Sequence, residues 1–265
     1  MPGAALETFL SRDGTPLAYA RTGAGPSLVL VHGTNYDHST WDVVMPALAA
    51  RFTVYALDRR GRGRSGDASS YSIEREYEDL ATLVDAVPGP VVLLGHSFGG
   101  ICALGASLLT RNLGKLILYE PPFAPLERFG SPEALLRMEV LVSEGRYAEV
   151  LETFLRELIS VDEAEVQRMK TLPDWSAQVA SAHTLAREGR VVEVAWRDLQ
   201  RYAALTVPTL LMRGGVSPSL CAEVDEALQG VLPRNRLAVL PDQGHFAMLT
   251  APELFVREVL TFAEL

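Results

Sequence analysis

The stretch VVLLGHSFGG, residues 91–100, decides the fold of this chain. Its apolar run, residues 91–94, is typical of a strand that is covered on both faces, as in the centre of a parallel sheet. A serine flanked by glycines after such a strand, and before a helix, is typical of a sharp turn that exposes the hydroxyl at the positive end of that helix. Ser97 is therefore the candidate nucleophile.

Further short apolar runs predict eight strands in all, and helical patterns lie between most of them. Strand followed by helix, repeated, predicts an α/β fold with an eight-stranded, mostly parallel sheet flanked by helices. The last helix has a predicted capping box with Thr250 as N-cap and Glu253 three residues later. The predicted strands are residues 6–10, 15–21, 27–31, 52–57, 90–94, 115–120, 208–213 and 236–240, and the predicted helices between them are 41–50, 73–86, 98–109, 220–229 and 251–263.

One long segment departs from this alternation. Residues 123–204 read as successive helices without a strand, and Ser131 and Pro132 open one of them as N-cap and first helical residue. The sequence therefore predicts a core made of residues 1–122 and 205–265, into which an all-helical lid is inserted.

The base is sought among five histidines. His245 follows the last predicted strand and precedes the last helix, so parallel topology returns its loop to the sheet edge that carries Ser97. His32 and His96 lie inside other turns, His38 lies in a loop and His183 in the insertion. His245 is the predicted general base.

A second turn supplies the predicted oxyanion hole. His32 and Gly33 follow a strand, and the glycine allows a sharp turn that aims a backbone amide at the nucleophile. The backbone N–H groups of Thr34 and Phe98 are the two predicted donors, and two donors suit a tetrahedral oxyanion.

These motifs resemble the α/β-hydrolase fold family, in its serine-nucleophile branch with a helical lid. The resemblance rests on His32–Gly33, on residues 57–65, on Gly95 to Gly100 and on Gly244–His245, and it covers the chain outside the insertion. It implies the eight-stranded sheet, a Ser-His-acid triad and a lid that shapes the pocket. It also implies that the arginine-rich residues 58–65 form a structural loop rather than a phosphate clamp.

The acid is missing from its usual place in this family. The pattern Gly, two residues, Asp is expected after the strand at 208–213, where the chain has Ser217 instead. Glu120, at the end of the neighbouring strand, is the preferred replacement, since some relatives place their acid there. Asp225 and Glu223 are alternatives farther along the next helix.

A serine nucleophile with a histidine and an oxyanion hole predicts acyl chemistry through an acyl-enzyme. Ester, thioester, lactone and amide substrates remain open, as does cleavage of a carbon–carbon bond next to a ketone. The alternative class is a non-hydrolytic enzyme on the same scaffold: a lyase, or a cofactor-free oxygenase or perhydrolase. A binding protein that has lost catalysis is a further alternative.

Apolar and aromatic residues near the insertion predict a small, largely apolar substrate, although each is individually more typical of core packing. The candidate substrate-binding residues are Asn35, Tyr36, Trp41, Phe123, Trp175 and Trp196. No cofactor and no metal is expected, because neither Cys102 nor Cys221 belongs to a ligand-spaced cluster.

The net charge is −9, which disfavours nucleic acid and anionic membrane surfaces as partners. Hydrophobic residues make up 48% of the chain, enough for a large core. The first residues lack the pattern of a signal peptide, and no apolar run is long enough for a membrane span, so a cytoplasmic protein is expected, as a monomer or a homodimer.

Overall fold

The computed structural model describes residues 5–125, 128 and 130–264. Within this part, eight strands form one sheet in the order β1-β2-β4-β3-β5-β6-β7-β8. The strands are β1 (Ala5–Leu10), β2 (Pro16–Thr22), β3 (Ser27–Val31), β4 (Thr53–Leu57), β5 (Val91–His96), β6 (Leu113–Tyr119), β7 (Thr209–Gly214) and β8 (Asn235–Leu240). The predicted eight-stranded sheet is confirmed.

Strand direction follows from the length of each connection. The short turn at Asp13 and Gly14 joins β1 and β2 as an antiparallel hairpin, and Gly14 has a φ of 83°. β2 also pairs with β4 antiparallel. The pairs from β4 through β3, β5, β6 and β7 to β8 are parallel, because longer crossover segments return the chain to the same end of the sheet.

The chain divides into two compact units, and the first contains the sheet. This sheet unit comprises residues up to Gly33, Asp37–Pro122 and Leu199 onward. Every residue of β3, β4 and β5 is buried, as their mostly apolar sequences predict. Its helices are α1 (Met45–Ala49), α2 (Ile73–Ala86), α3 (Phe98–Ala106), α9 (Ser219–Val231), α10 (Ala247–Thr250) and α11 (Pro252–Glu264).

The second unit is helical and comprises Thr34–Tyr36 and Phe123–Asp198. It has its own apolar core, in which Leu135, Met138, Leu155 and Leu185 are buried. The Ser131 side chain accepts the Ala134 amide, as predicted for an N-cap. Its helices are α4 (Pro132–Ser143), α5 (Tyr147–Thr153), α6 (Glu163–Met169), α7 (Trp175–Ser181) and α8 (Leu185–Ala195).

The division into units differs from the predicted ranges in two places. The helical unit ends at Asp198 rather than at residue 204, and it includes residues 34–36 from the turn after β3. Asn35 explains the second difference, because it bonds to two residues of α7 within the same unit.

The predicted capping box of the last helix is wrong. The turn at Ala247–Thr250 is a short helix of its own, and the long helix begins only at Pro252. The Thr250 hydroxyl donates to Gln243 Oε1 at 2.7 Å instead of accepting an amide of the long helix.

No helix among the described residues is long and apolar enough to cross a membrane. Residues 1–4, on which the expectation about a signal peptide partly rests, lie outside the described residues.

Candidate active site

The turn from β5 to α3 places Ser97 in a strained conformation. Ser97 has φ 53° and ψ −126°, and Phe98 begins the helix directly after it. A positive φ is costly for a residue with a Cβ and persists only where the surroundings enforce it. The Ser97 amide donates to the Tyr119 carbonyl at 2.8 Å, and its carbonyl accepts the Gly100 amide at 2.7 Å. Both bonds fix the turn that presents the Ser97 side chain, which is only half-buried.

Two glycines beside Ser97 are required by close backbone approach. A Cβ on Gly95 would lie 2.3 Å from the Gly99 carbonyl oxygen, and a Cβ on Gly99 would lie 2.5 Å from the carbonyl oxygens of Val31 and His32. These three oxygens cannot move away easily, because they belong to the backbone of α3, of β3 and of the turn after β3. The glycines of the motif therefore have a steric role.

His245 lies in the loop after β8, where three contacts fix its backbone. The His96 Nε2 donates to the His245 carbonyl at 2.9 Å. The Tyr119 hydroxyl donates to the Gly244 carbonyl and accepts the Ala247 amide at 3.1 Å. The His245 side chain is 37% exposed, so its ring is open on one side while the loop beneath it is fixed.

Glu120 lies against this ring, directly after β6. Its Oε2 is 2.5 Å from His245 Nδ1, and its Oε1 accepts the Gly214 amide at 2.7 Å. The carboxylate is 1% exposed, and the residue has a φ of 47°, a second strained backbone position at this edge of the sheet. With a proton on Nδ1 donated to Glu120, the Nε2 of His245 becomes the acceptor of the ring.

The pKa of Glu120 is lowered from its ordinary value. Burial acts to raise this pKa, but the hydrogen bond and the charge of His245 outweigh burial, and the Gly214 amide adds to them. Glu120 is therefore a carboxylate at neutral pH, as a partner of an imidazole must be.

The alternative acids are engaged elsewhere or exposed. Asp225 forms an ion pair with Arg213 at 2.9 Å, and Glu223 is exposed on α9. Ser217, at the position where the resembled family carries an acid, is half-buried with its hydroxyl oxygen enclosed, and this hydroxyl helps to lower the pKa of Glu120. Of the carboxylates weighed from the sequence, Glu120 is the one bonded to His245.

The other histidines of the sheet unit have structural partners. His32 Nε2 accepts the Arg59 amide at 3.1 Å, and its Nδ1 donates to the Gly33 carbonyl at 2.8 Å. Burial, with the nearby arginine charges, lowers the pKa of His32 to about 3, and burial also lowers the pKa of His96 far below its ordinary value. His38 bonds to Asp58 at 2.7 Å, which raises the pKa of His38. Because His32 and His96 are neutral and His38 is paired with Asp58, His245 is the remaining base candidate in the sheet unit.

The arginine-rich loop after β4 is fixed by buried ion pairs. Arg59 donates twice to Glu76, and Arg60 donates twice to Asp79, at 2.6–2.7 Å. Both guanidinium groups are almost fully buried. These contacts agree with the structural role that the family resemblance implies for the loop.

One group of possible metal ligands occurs in the part of the chain that the structure describes. Donor atoms of Asp37, His38 and Asp58 lie within 4.8 Å of one another. The Asp58 carboxylate already accepts the His38 amide, the His38 ring and the Arg64 amide. These bonds account for the burial of Asp58 without a cation.

The candidate substrate-binding residues fall in different environments. Trp41 is buried in the core of the sheet unit, where its ring packs against His96 and Phe255. In the helical unit, Asn35 is buried, accepts the Ser181 hydroxyl at 2.9 Å and donates to Gln178. Substrate contacts of these residues stay predictions.

The remaining candidates also belong to the helical unit. Phe123 is buried, whereas Thr34, Tyr36, Trp175 and Trp196 are half-buried. The Trp196 indole donates to the Glu193 carbonyl at 3.0 Å, and Trp175 packs against the apolar core of the unit. The oxyanion role of the Thr34 amide and the binding roles of the other four residues stay predictions.

Sequence reasoning missed three supports of the site. The Gly214 amide, the Tyr119 hydroxyl and the Arg59 guanidinium act across strands, and no local pattern marks them. The positive φ of Glu120 has no local signal either, because the proline that follows it favours an extended conformation with negative φ.

Comparisons with known proteins identify the family of the chain. The model of the alpha/beta hydrolase family matches residues 28–258. The chain is 29% identical over 245 residues to a pimeloyl-[acyl-carrier protein] methyl ester esterase of Nitrosomonas europaea, which covers 89% of this chain and 94% of that protein.

Two solved structures extend the comparison to the fold. An alpha/beta hydrolase from Sphaerobacter thermophilus DSM 20745 superposes with a TM-score of 0.85 at 34% identity, and it covers 97% of this chain and 99% of its own. A thermophilic esterase from Thermogutta terrifontis has a TM-score of 0.75 at 25% identity, with 98% of each chain covered.

Proposed function

The chain belongs to the α/β hydrolase family and is an esterase-type hydrolase, and from this premise we propose that it cleaves an ester-like bond through a serine acyl-enzyme. The proposed nucleophile is Ser97, the general base is His245 and the acid is Glu120. The observation that carries the proposal is the contact between Glu120 Oε2 and His245 Nδ1 at 2.5 Å.

In the first half-reaction, the Ser97 hydroxyl attacks the carbonyl carbon of the substrate while His245 Nε2 takes its proton. The tetrahedral intermediate expels the alcohol, which receives that proton from the imidazolium. In the second half-reaction, water attacks the acyl-enzyme with the same histidine as base, and the acid product leaves. Glu120 keeps the proton on Nδ1 and stabilises the imidazolium, but stays ionised itself.

The proposed oxyanion donors are the backbone N–H groups of Phe98 and Thr34. Phe98 is the first residue of α3, where free amides and the helix dipole favour negative charge. An amide donor of this kind typically contributes about 10²–10³-fold to the rate.

The proposed substrate is a small, largely apolar ester. The name of the Nitrosomonas europaea relative, a methyl ester esterase, supports an ester rather than an amide. The net charge of −9 is unfavourable for a polyanionic substrate. We propose that the helical unit acts as the lid that limits the size of the acyl group.

The experiment that tests the proposal combines covalent labelling with turnover. A fluorophosphonate should label Ser97 in the native protein, and labelling should fall at least about 10³-fold in the His245→Gln variant, which lacks the base. His183→Gln is the matched control, because His183 lies on the helical unit and bonds to the Ala180 carbonyl. Mass spectrometry during turnover of p-nitrophenyl acetate should detect an acetylated Ser97.

Each alternative class gives a different result in this experiment. A protein that only binds its ligand would resist labelling by the fluorophosphonate. A lyase or an oxygenase would be labelled but would form no acetyl-enzyme at a rate that supports turnover. Equal labelling of the His245→Gln variant and the native protein would overturn the assignment of the base.

A further inference from the structure

Arg59 contacts both of the turns that flank Ser97 in the sheet unit. One of its terminal nitrogens, Nη1, donates to the Gly33 carbonyl at 3.3 Å, in the turn after β3. Its guanidinium carbon lies 4.5 Å from the centre of the Phe98 ring, in the turn after β5. The two turns also touch each other, because a Cβ on Gly33 would lie 2.9 Å from the Ser97 Cβ. Arg59 is therefore one buried side chain that contacts both turns.

Glu76 of α2 fixes the guanidinium itself. Its carboxylate oxygens accept Nε and Nη2 of Arg59, each at 2.7 Å, and the two side chains are 1% and 2% exposed. A bidentate pair of this kind restricts the guanidinium to one plane. Tyr71 donates to the same carboxylate at 3.0 Å, which restricts Glu76 in turn.

The Gly33 carbonyl matters because of the covalent geometry of its peptide group. The bond between Gly33 and Thr34 is a trans peptide, in which the carbonyl and the Thr34 N–H share one plane and point in opposite directions. His32 Nδ1 and Arg59 both donate to this carbonyl, at 2.8 and 3.3 Å. Fixing the carbonyl oxygen therefore also fixes the direction of the Thr34 N–H.

The backbone of Arg59 completes the arrangement. Its amide donates to His32 Nε2 at 3.1 Å, so this nitrogen is the acceptor of the ring and Nδ1 carries the proton. Since burial and the arginine charges lower the pKa of His32 to about 3, the ring keeps this single tautomer at neutral pH. Both donors to the Gly33 carbonyl thus depend on Arg59, one through its side chain and one through its amide.

We propose that Arg59, held by Glu76, is a positioning residue that fixes both proposed oxyanion donors, the Thr34 amide through the Gly33 carbonyl and the Phe98 amide through the Phe98 ring. The inference rests on the proposed function, since it assumes that these amides bind an oxyanion. Arg59 does not touch substrate in this proposal. Its loss should impair transition-state stabilisation far more than substrate binding.

The neighbouring residue provides a matched control. Arg60 lies in the same loop, is equally buried and donates twice to Asp79 of α2, at 2.6 and 2.7 Å. Its other ion pair is with Asp13, at the hairpin between β1 and β2. Removing either pair loses buried ion-pair interactions of the same kind. The contacts described for Arg59 reach the turns beside Ser97, whereas those described for Arg60 reach α2 and the hairpin.

The experiment compares two paired variants, Arg59→Met with Glu76→Gln and Arg60→Met with Asp79→Asn. Each removes an arginine and neutralises its partner, which avoids leaving one buried charge alone. The first should lower kcat for p-nitrophenyl acetate about 10²-fold with KM within about threefold, the effect expected for misplaced oxyanion donors. The second should lower Tm to a similar degree, with kcat within about threefold of the native value. Equal loss of kcat in both would overturn the inference.

A second readout does not depend on catalysis. Amide hydrogen exchange in residues 31–36 and 97–101 should become at least about tenfold faster in the Arg59 variant and stay unchanged in the Arg60 variant. Unchanged exchange in the Arg59 variant would overturn the inference, even if the protein is an active serine hydrolase. Failure of the proposed function would instead appear as full turnover by Ser97→Ala, a result that leaves the exchange pattern able to decide on Arg59.

A milder substitution tests the same inference if the protein with Arg59→Met and Glu76→Gln does not fold. Arg59→Lys keeps the charge beside Glu76 but lacks the planar fork that reaches Gly33 and Phe98 together. It should retain most of the thermal stability and still lose about tenfold or more in kcat. Native kcat in Arg59→Lys would contradict the positioning role.

Discussion

Glu120 and His245 are 125 positions apart in the chain, yet Glu120 Oε2 lies 2.5 Å from His245 Nδ1. The same carboxylate binds the Gly214 amide through its other oxygen, so it connects the ends of β6, β7 and the loop after β8. Glu120 thus lies at the end of β6, one strand away from β7, which Ser217 follows. From β7 the site receives the Gly214 amide, where the resembled family has a carboxylate after this strand.

Glu120→Gln should lower kcat by about 10⁴-fold, because an amide cannot hold the proton on His245 Nδ1 or stabilise the imidazolium. The fold should be little affected, since glutamine has the same shape and can still accept the Gly214 amide. Steady-state kinetics and thermal melts check both statements. Glu223→Gln, on the exposed face of α9, is the matched control and should leave kcat unchanged. Native turnover in Glu120→Gln would remove Glu120 from the site.

Adding Ser217→Asp to the Glu120→Gln variant should recover kcat by about tenfold or more, because a carboxylate would again be available near His245. The Ser217 hydroxyl already lies close enough to Glu120 to influence its pKa. In the native background, Ser217→Asp should instead lower Tm, since two carboxylates would share one buried site. Steady-state kinetics of the double variant test the recovery of kcat, and thermal melts of the single variant test the loss of Tm. If kcat of the double variant stays as low as that of Glu120→Gln, a carboxylate at position 217 cannot act on His245.

Asp225 should make the protein less stable as the pH rises from about 4 to 6. Burial raises the pKa of Asp225 to about 6, from an ordinary value of 3.8, against the opposing effect of Arg213. Between these values the unfolded chain has released its proton while the folded protein retains it, so folding loses free energy as pH increases. Chemical denaturation across this range should show that the stability of the native protein falls relative to that of Asp225→Asn as the pH rises. An unchanged slope in the variant would contradict the raised pKa.

Gly99→Ala should destabilise the protein by about 1–3 kcal/mol and lower kcat, because its Cβ would lie 2.5 Å from two backbone oxygens, one at the end of β3 and one in the turn after it. Gly230→Ala is the control. Nothing lies within 4 Å of a Cβ at Gly230, in α9, so alanine there should stabilise the helix by up to about 1 kcal/mol. Urea denaturation measures both variants. Equal stability of Gly99→Ala and the native protein would refute the steric requirement.

Local patterns were sufficient for most of the sheet. Residues 28–31 and 91–94 are apolar throughout because both faces are covered, and a pattern of this kind can be read without knowing the partner strand. The positions of Ser97 and His245 followed from the rule that parallel strands end at one edge. The expectation of Glu120 rested on the family resemblance, which puts the usual acid at Ser217 and, in some relatives, an acid after the strand that Glu120 ends.

Local patterns failed where a second segment decides the outcome. Thr250 and Glu253 have the spacing of a capping box, but Gln243 takes the Thr250 hydroxyl, and the helix begins later. The burial of Trp41 is set by His96 and Phe255, which are distant from it in the chain. Asn35 follows the turn after β3 in the chain, yet Ser181 and Gln178 draw it into the helical unit.

The sequence by itself determined the order of strands and helices and the strained serine turn, and it pointed to His245 as the candidate base, because hydrophobic period, glycine spacing and strand direction are properties of short segments. Only the tertiary structure decided that Glu120 is the carboxylate bonded to His245 and that the Gly214 amide of β7 fixes this carboxylate. Only the tertiary structure also showed that Arg59 contacts both turns beside Ser97. Those relationships join segments that are distant in the chain, and their geometry is set by the twist and packing of the whole sheet.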